Sequence, residues 1–484
     1  MKKISSVILA FVLAFLLIPA TSFSAAPELV ETIDTQKLDT AILDQIAKHS
    51  LPGVALAVIE GGEVVYQKGY GVDGNGEPMT PQTQMYIGSQ SKSFTALAIA
   101  ILAEQGKLEI DAPVQTYIPW FKVADEQASG KITINHLLHH TSGLSDAGYG
   151  IVLPLKTSAE DAIRSLAKAE LTERVGTKFQ YFNMGYAVLE YLIELQSGQT
   201  YAEFVQENIL TPLGMDTSTA DPATASDMPK GYTRIFGFSM PAKEEYPLYS
   251  VGAGWIVSNA VDMANYAIEF QTNQTKLVSD AMMRRILSPG IGNYGMGWFI
   301  YDSGARIVHG GANQTFRTEV NLYPNRDRAF VLLTNQGYQV DHFVSASQLT
   351  ASVEAVVLGR TPPSIDESWS VKWIGWAIGI FVLGLLVLHT HNFLALRTWK
   401  ARMSKVSAGK RAFDIAISFI IPIVITTIVF WQVGRFYGNR FNLVSSVAYM
   451  RQGMPDIFIL MLVGTLPDLI QGVAKLVIWN RRDK

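Results

Sequence analysis

The sequence contains no cysteine among its 484 residues. Disulfide bridges, thiol nucleophiles and thiolate metal sites are therefore excluded. An excess of charge of one sign is also missing, because 39 Lys and Arg residues nearly balance 42 Asp and Glu residues and the net charge is −3. The basic residues cluster only in short segments beside apolar runs, so we expect no nucleic-acid partner.

Apolar residues, in contrast, are abundant. They make up 48% of the chain, and the mean hydropathy of +0.18 is high for a soluble protein. The length suggests two to four domains at roughly 150 residues each. Three C-terminal runs, 373–392, 414–434 and 457–479, are each long enough to cross a hydrocarbon core of about 30 Å. The sequence therefore predicts three transmembrane helices.

Residues 1–26 have the pattern of a signal peptide. Lys2 and Lys3 precede an apolar core over 7–18, and small residues fill 22–26. We expect cleavage near Ser24 to Ala26, with an uncleaved anchor as the alternative. Residues 27–360 then form an extracytoplasmic domain, joined by the linker 361–372 to the first span.

The distribution of Lys and Arg between the spans predicts the orientation. The loop 393–413 holds six basic residues, the loop 435–456 holds three, and the tail 480–484 holds three more. Because cytoplasmic segments are enriched in Lys and Arg, the first loop and the tail are placed in the cytoplasm. This orientation agrees with the signal peptide and predicts a multi-pass protein of a bacterial cell membrane.

Two features stand out within the predicted spans. Asp468 follows Pro467 near mid-membrane, where a carboxylate is costly without a polar partner. It either serves a site within the bundle, or pairs with another span or lies in a kinked, partly interfacial one. The pattern Gly375-x-x-x-Gly379 in the first span is typical of close contact between helices.

A candidate catalytic motif, of a kind that also recurs by chance in a chain of this length, lies near the N-terminal end of the extracytoplasmic domain. Ser89 and Lys92 form a Ser-x-x-Lys pattern that leads into an apolar run with small residues, as in a buried helix. One helical turn places both side chains on the same face. A buried lysine can lose its charge and take the serine proton, and the helix N-terminus supplies N–H groups to an oxyanion. This motif occurs in penicillin-binding proteins and β-lactamases.

Three histidines, His136, His139 and His140, occur within five residues. No companion such as His-Glu-x-x-His accompanies them, so we interpret this stretch as a helix that ends in a turn at Gly143, and we expect no metal. Tyr181-Phe182-Asn183 lies about ninety residues after Ser89, in a loop that enters a helix. Taken alone, that loop tyrosine is more typical of packing than of catalysis.

β-Strands flank these segments. Residues 54–59 and 64–71 around Gly61-Gly62 predict a hairpin, and 318–323 and 328–335 predict a second one. Residues 306–313 read as a strand that ends in His309-Gly310-Gly311-Ala312-Asn313. Glycines at such a strand allow a ligand to approach the backbone.

Four stretches in one order carry a resemblance: Ile87 to Ala96 with Ser89 and Lys92, Leu137 to Leu144, Tyr181-x-Asn183, and His309-Gly310-Gly311. Over roughly residues 35–358 the chain resembles the penicillin-binding-protein-like serine hydrolases related to class C β-lactamases. The resemblance implies an α/β (α+β) fold, with an antiparallel sheet flanked by helices and a mostly helical subdomain.

The same resemblance implies roles for individual residues. Ser89 would be the acylated nucleophile, Lys92 its activator and Tyr181 the general base, as well as the acid toward the leaving group. Asn183 would hydrogen-bond substrate amides, and the N–H groups of Ser89 and Ala312 would form the oxyanion hole. Polar and cationic groups around Tyr181 would favour its phenolate. No cofactor is implied.

One motif departs from the family pattern. Many members have Lys-Thr-Gly where this chain has His309-Gly310-Gly311, and a histidine is mostly neutral at pH 7. This difference weakens the β-lactamase interpretation and favours peptidase or esterase activity. The three C-terminal spans are similar to those of membrane-bound peptidases that mature peptide prodrugs by removing an N-acyl-D-amino-acid cap, and Asn313 would contact such a substrate.

Three hypotheses follow. The first is a serine peptidase or amidase on small peptides or cell-envelope substrates that contain D-amino acids. The second is an envelope esterase or weak β-lactamase. The third is an envelope-binding protein without catalysis, which the joint presence of Ser89, Lys92 and Tyr181 disfavours.

Overall fold

The structure is a computed structural model that describes residues 32–271, 275–337, 345–364, 371–436, 447, 450–451 and 453–480. The predicted signal peptide and most of the predicted outer loop lie outside these residues. The strands are β1 Gly53–Glu60, β2 Glu63–Gly71, β3 Met85–Tyr86, β4 Gly231–Ile235, β5 Phe238–Ala242, β6 Val257–Ser258, β7 Phe299–Tyr301, β8 Arg306–Ala312, β9 Arg317–Tyr323 and β10 Arg328–Thr334.

Helices occupy both the N-terminal two thirds and the C-terminal third. They are α1 Thr35–His49, α2 Ser91–Glu104, α3 Glu126–Ser129, α4 Ile134–Leu138, α5 Asp146–Tyr149, α6 Ala159–Ser165, α7 Asn183–Ser197, α8 Tyr201–Val205, α9 Val251–Gly254, α10 Ala260–Gln271, α11 Asp280–Ile286, α12 Ser347–Val357, α13 Val371–Ala395, α14 Trp399–Met403, α15 Ala408–Phe436 and α16 Pro455–Asn480.

The central layer is a six-stranded sheet in the order β2-β1-β10-β9-β8-β7, and every neighbouring pair is antiparallel. Both predicted hairpins are confirmed, since β1 pairs with β2 and β9 with β10. Sequential strands thus meet as neighbours, except that β10 returns to the first hairpin and brings the two ends of the domain together.

Helices cover both faces of the sheet. Alternate residues of β1 point to opposite sides, so Leu56 packs with α1 and α12 while Ala57 belongs to the larger core on the other face, where α10 lies. This double coverage explains why β1 and β10 are apolar along nearly their whole length. The predicted class, an antiparallel sheet flanked by helices, is confirmed.

Local sequence sets the helix ends. α1 begins directly after Asp34, because the Asp34 carboxylate accepts hydrogen bonds from the N–H groups of Gln36 and Lys37. α10 follows the side chain of Asn259, which accepts from the N–H groups at 261 and 262.

α13, α15 and α16 are long and apolar enough to cross a membrane by length and composition. One ion pair and one carboxylate–histidine contact join them: Lys475 Nζ lies 2.9 Å from Asp414, and Asp468 lies 3.5 Å from His389 Nδ1. Asp468 thus meets a polar side chain of another helix. Gly375, however, faces a turn at Gly237 of the N-terminal domain, where the sequence pattern predicted another helix.

Candidate active site

The predicted nucleophile lies at the junction between the sheet and the helical region. Ser89 occupies a 3₁₀ turn, Gly88–Gln90, that ends directly before α2 begins at Ser91. The Ser91 hydroxyl fixes this turn, because it donates to the Gly88 carbonyl at 2.8 Å and accepts from the Ile256 N–H at 3.1 Å. Ser89 itself is only partly buried and remains open to a ligand.

Lys92 lies directly beside this serine. Its Nζ is 3.2 Å from Ser89 Oγ, 2.8 Å from Asn183 Oδ1 and 2.5 Å from the Ala253 carbonyl oxygen. The side chain is fully buried, and burial lowers the pKa of Lys92 to about 7. A neutral amine has two N–H groups and one lone pair. Two carbonyl-type acceptors and one hydroxyl donor match that inventory.

Tyr181 stands next to the same amine. The Lys92 Nζ lies 4.7 Å from the centre of the Tyr181 ring. The Tyr181 hydroxyl is buried and makes no hydrogen bond of ordinary geometry to the described part of the chain. Burial raises the pKa of Tyr181, and the neighbouring Ser89 hydroxyl only partly opposes this effect. The structure therefore disfavours the resting phenolate that the sequence suggested, and Tyr181 is poised as a proton donor.

The end of β8 lies against the nucleophile turn. A Cβ on Gly311 would fall 1.8 Å from the Ile87 carbonyl oxygen, and a Cβ on Gly88 would fall 2.3 Å from the Ala312 nitrogen. Only glycines allow backbones to approach so closely. Asn313 donates from Nδ2 to the Gly254 carbonyl at 3.0 Å, which leaves its side-chain oxygen buried beside Gly88.

His309 lies beneath this edge rather than in open solvent. Its Nε2 is 3.0 Å from the Tyr294 hydroxyl, and Nδ1 is 2.7 Å from the carbonyl oxygen of Gly310. Burial, assisted by the charge of Lys92, lowers the pKa of His309 to about 3. The residue that replaces the usual lysine is thus neutral at physiological pH, and it offers no fixed positive charge to a substrate carboxylate.

The other histidines have separate structural contacts. His136 Nδ1 accepts from the Thr133 N–H at 3.1 Å, and His139 Nδ1 lies 3.0 Å from the Asn135 carbonyl. His140 Nδ1 accepts from the Phe182 N–H at 3.2 Å. Among the residues described here, His, Asp and Glu side chains form no group of three that could hold a metal ion.

The chain is similar to known proteins over the region that contains these residues. Residues 38–355, more than half of the chain, match the family model described as beta-lactamase. The chain belongs to the beta-lactamase family. It is a serine hydrolase of that family, and the resemblance seen in the sequence is confirmed.

Relatives of this family member include hydrolases and a penicillin-binding-protein homologue. Protein flp of Staphylococcus aureus strain MW2 is 28% identical over 313 residues, 62% of this chain and 63% of flp. Unguisins hydrolase ungD' of Aspergillus campestris is 28% identical over 337 residues, 63% of this chain and 62% of that protein. Each match spans less than two thirds of the relative's own length.

Among solved structures, the octameric penicillin-binding protein homologue from Pyrococcus abyssi is similar to this beta-lactamase-family chain. The TM-score is 0.59 at 28% sequence identity, and the match covers 68% of this chain and 78% of that one.

Sequence reasoning missed two residues of this site. The centre of the His140 ring lies 4.3 Å from the centre of the Tyr181 ring, and His140 Nδ1 accepts a hydrogen bond from the Phe182 N–H. Glu190 is buried and accepts from the Gly252 N–H at 2.7 Å, next to the Ala253 carbonyl that receives Lys92. His140 is the histidine of the Leu137–Leu144 stretch, so its motif was visible while its contact was not. Glu190 has no sequence signal, because it is one of two acidic residues in the largely apolar helix α7.

Proposed function

We propose that the chain is a membrane-anchored serine peptidase or amidase that acts through an acyl-enzyme on small peptides or cell-envelope substrates with D-amino acids. The observation that carries the hydrolytic part is the 3.2 Å contact between Ser89 Oγ and a buried Lys92 whose pKa is about 7. The D-amino-acid part rests on the ordered motifs and on the three C-terminal spans.

Acylation uses the two proton positions of the site. Neutral Lys92 takes the Ser89 proton while Oγ bonds to the substrate carbonyl carbon. The developing oxyanion is held by the N–H groups of Ser89 and Ala312, which the close approach at Gly88 brings to one edge. Tyr181 then gives its proton to the leaving amine as the amide bond breaks.

Deacylation reverses these transfers. The Tyr181 phenolate formed in the first half is stabilised by the new ammonium of Lys92, 4.7 Å from the ring centre. It takes a proton from the attacking water. When the acyl–oxygen bond breaks, Lys92 returns its proton to Ser89 Oγ, so the resting protonation state is restored.

The neutral His309 supports peptidase or esterase activity over β-lactam hydrolysis, because a β-lactam carboxylate would find no fixed charge at that motif. The basic loop 393–413 supports an extracytoplasmic position for the hydrolase domain, residues 27–360, in a protein of a bacterial membrane. An envelope esterase is the second candidate.

The test is the intact mass of the full chain in detergent after exposure to a fluorophosphonate. We expect one adduct on the wild type and none on Ser89→Ala, with Ser93→Ala as a matched control that keeps the adduct. Absence of an adduct on folded wild type would show that the serine is not activated, as in a binding protein. A panel of D-amino-acid amides and esters then separates peptidase from esterase.

A further inference from the structure

The β4–β5 hairpin has an apolar tip that faces outward. Residues 235–242 contain no charged side chain. Phe238 is 61% exposed and Met240 is 49% exposed, on the same side of β5. A strand that faces water normally alternates apolar and polar residues with the polar side outward. A contiguous exposed apolar patch instead marks a surface that contacts an apolar partner.

The tip of this hairpin touches the first membrane helix. A Cβ on Gly375 would lie 2.1 Å from the Gly237 nitrogen, and a Cβ on Gly379 would lie 3.1 Å from the Phe236 Cβ. The centre of the Phe238 ring also lies 6.2 Å from the centre of the Trp376 ring. The small residues at one face of α13 therefore accommodate the turn at Phe236–Gly237, and Phe238 and Met240 project beside that contact.

The position of this contact along α13 indicates how deep the hairpin tip lies relative to the membrane interface. Trp373 and Trp376 are 53% and 37% exposed at the start of the helix, where aromatic residues typically mark the membrane interface. Gly379 follows Trp373 by six residues, which is about 9 Å along an α-helix. Interfacial elements typically insert about 5–10 Å into the boundary between headgroups and acyl chains.

The hairpin is firmly attached to the hydrolase domain. Arg234 is fully buried and donates to the carbonyl groups of Gly237 at 3.2 Å and His49 at 2.9 Å. Ser239 donates to Gln336 at 2.8 Å, beyond the end of β10. A position of the tip in the bilayer would therefore fix the orientation of the whole domain.

We propose that the β4–β5 hairpin is a membrane-binding element of the hydrolase domain, and that Phe238 and Met240 insert among the lipids of the nearest leaflet beside α13. The partner is the lipid bilayer itself. This inference goes beyond the proposed function and does not depend on the substrate.

The base of the hairpin also packs against the segment that follows the active-site strand β8. Gly231, at the base of β4, packs against Thr315. Thr315 follows Ala312 by three residues, and its N–H donates to Glu244. β4 has five residues, so its length is about 17 Å at about 3.3 Å per residue. The segment after β8 is thereby joined to the tip through one strand on the order of 17 Å long.

A cysteine-free chain allows a direct test. Phe238→Cys is labelled with an environment-sensitive nitrobenzoxadiazole dye in the full chain, reconstituted in phosphatidylcholine nanodiscs with and without spin-labelled lipid. Val65→Cys, on an apolar position 46% exposed in the edge strand β2, is the matched control. We expect the dye at 238 to be quenched several-fold more than the dye at 65. Equal, water-like emission at both positions would overturn the proposal.

A second measurement needs no substitution. The wild-type chain in nanodiscs that carry a photoactivatable diazirine lipid is irradiated and digested, and the adducts are mapped by mass spectrometry. Adducts within 235–242 as well as in the membrane helices are expected. Adducts confined to 371–480 would contradict insertion. Neither readout involves catalysis, so a failed hydrolase assay and a failed insertion test are distinguishable.

Discussion

The pH dependence of the nucleophile tests the chemistry of the site most directly. Lys92 must be neutral to accept the Ser89 proton, and its pKa is lowered to about 7 by burial. With that value, the neutral fraction falls from about 90% at pH 8 to about 10% at pH 6. We therefore expect the rate of reaction at Ser89 to fall about tenfold over these two pH units.

The assay is the second-order rate of fluorophosphonate labelling of the full chain in detergent from pH 5.5 to 9. Labelling forms the bond to Ser89 without needing a proton for an amine leaving group, so it isolates the role of Lys92. Lys92→Arg keeps a permanent positive charge, and Lys92→Met removes the base. Both variants should label slowly at every pH, without the rise around pH 7.

The two histidines near the amine do not mimic this profile, whereas Glu190 requires a control. Burial lowers the pKa of His309 to about 3 and that of His140 well below its usual value, so neither changes charge in the range used. Burial raises the pKa of Glu190 to about 8, which makes Glu190→Gln the necessary control. A wild-type rate that stays constant between pH 8 and 6 would refute the assignment of Lys92 as the base.

The same lysine predicts how stability changes with pH. The unfolded chain binds the Lys92 proton up to about pH 10.5, whereas the folded chain releases it near pH 7. Folding is therefore favoured as pH rises from 7 to 10.5, by up to about 5 kcal/mol at 1.36 kcal/mol per unit. In the Lys92→Met variant, the thermal-unfolding midpoint should change less with pH over this interval than it does in the wild type.

Three further substitutions test the packing around the site and between the spans. Gly311→Ala should abolish labelling and destabilise the fold by a few kcal/mol, because its Cβ would meet backbone, whereas Gly130→Ala, with room for a methyl, should be close to neutral in both assays. His140→Phe removes the acceptor of the Phe182 N–H but keeps a ring against Tyr181, so we expect amide turnover to fall about tenfold while fluorophosphonate labelling continues. Lys475→Met removes the ion-pair partner of Asp414, whose Oδ2 still accepts from Trp399 Nε1, and should lower the thermal midpoint of the full chain by several degrees. Lys475→Arg should largely restore the midpoint, and equal midpoints for both variants would contradict the ion pair.

Local patterns predicted the elements better than the contacts between them. The glycine pair after β1 and the turn after β9 identified both hairpins, because strand periodicity and turn chemistry are properties of neighbouring residues. The partner of Gly375 was predicted wrongly. A Gly-x-x-x-Gly pattern shows only that a helix face is small, and a β-turn can occupy such a face as well as another helix can.

The protonation of the site was the hardest feature to predict, because it depends on burial from all sides. Neighbouring cationic and polar groups suggested a phenolate at Tyr181, but desolvation raises the pKa of that phenol and lowers the pKa of the lysine. The two effects act together. Above pH 7 both side chains are therefore neutral at rest. We expect the lysine, rather than the tyrosine, to act as the first base.

The three contacts of Lys92 explain why a buried amine is tolerated. They come from Ser89 in the turn before α2, Asn183 at the start of α7 and Ala253 in α9. A neutral lysine is satisfied only while these three elements stay assembled, since separation of any one admits water and favours the ammonium. We therefore expect local opening at α9 to raise the pKa of Lys92 and to slow the reaction at Ser89, without any change in Ser89 itself.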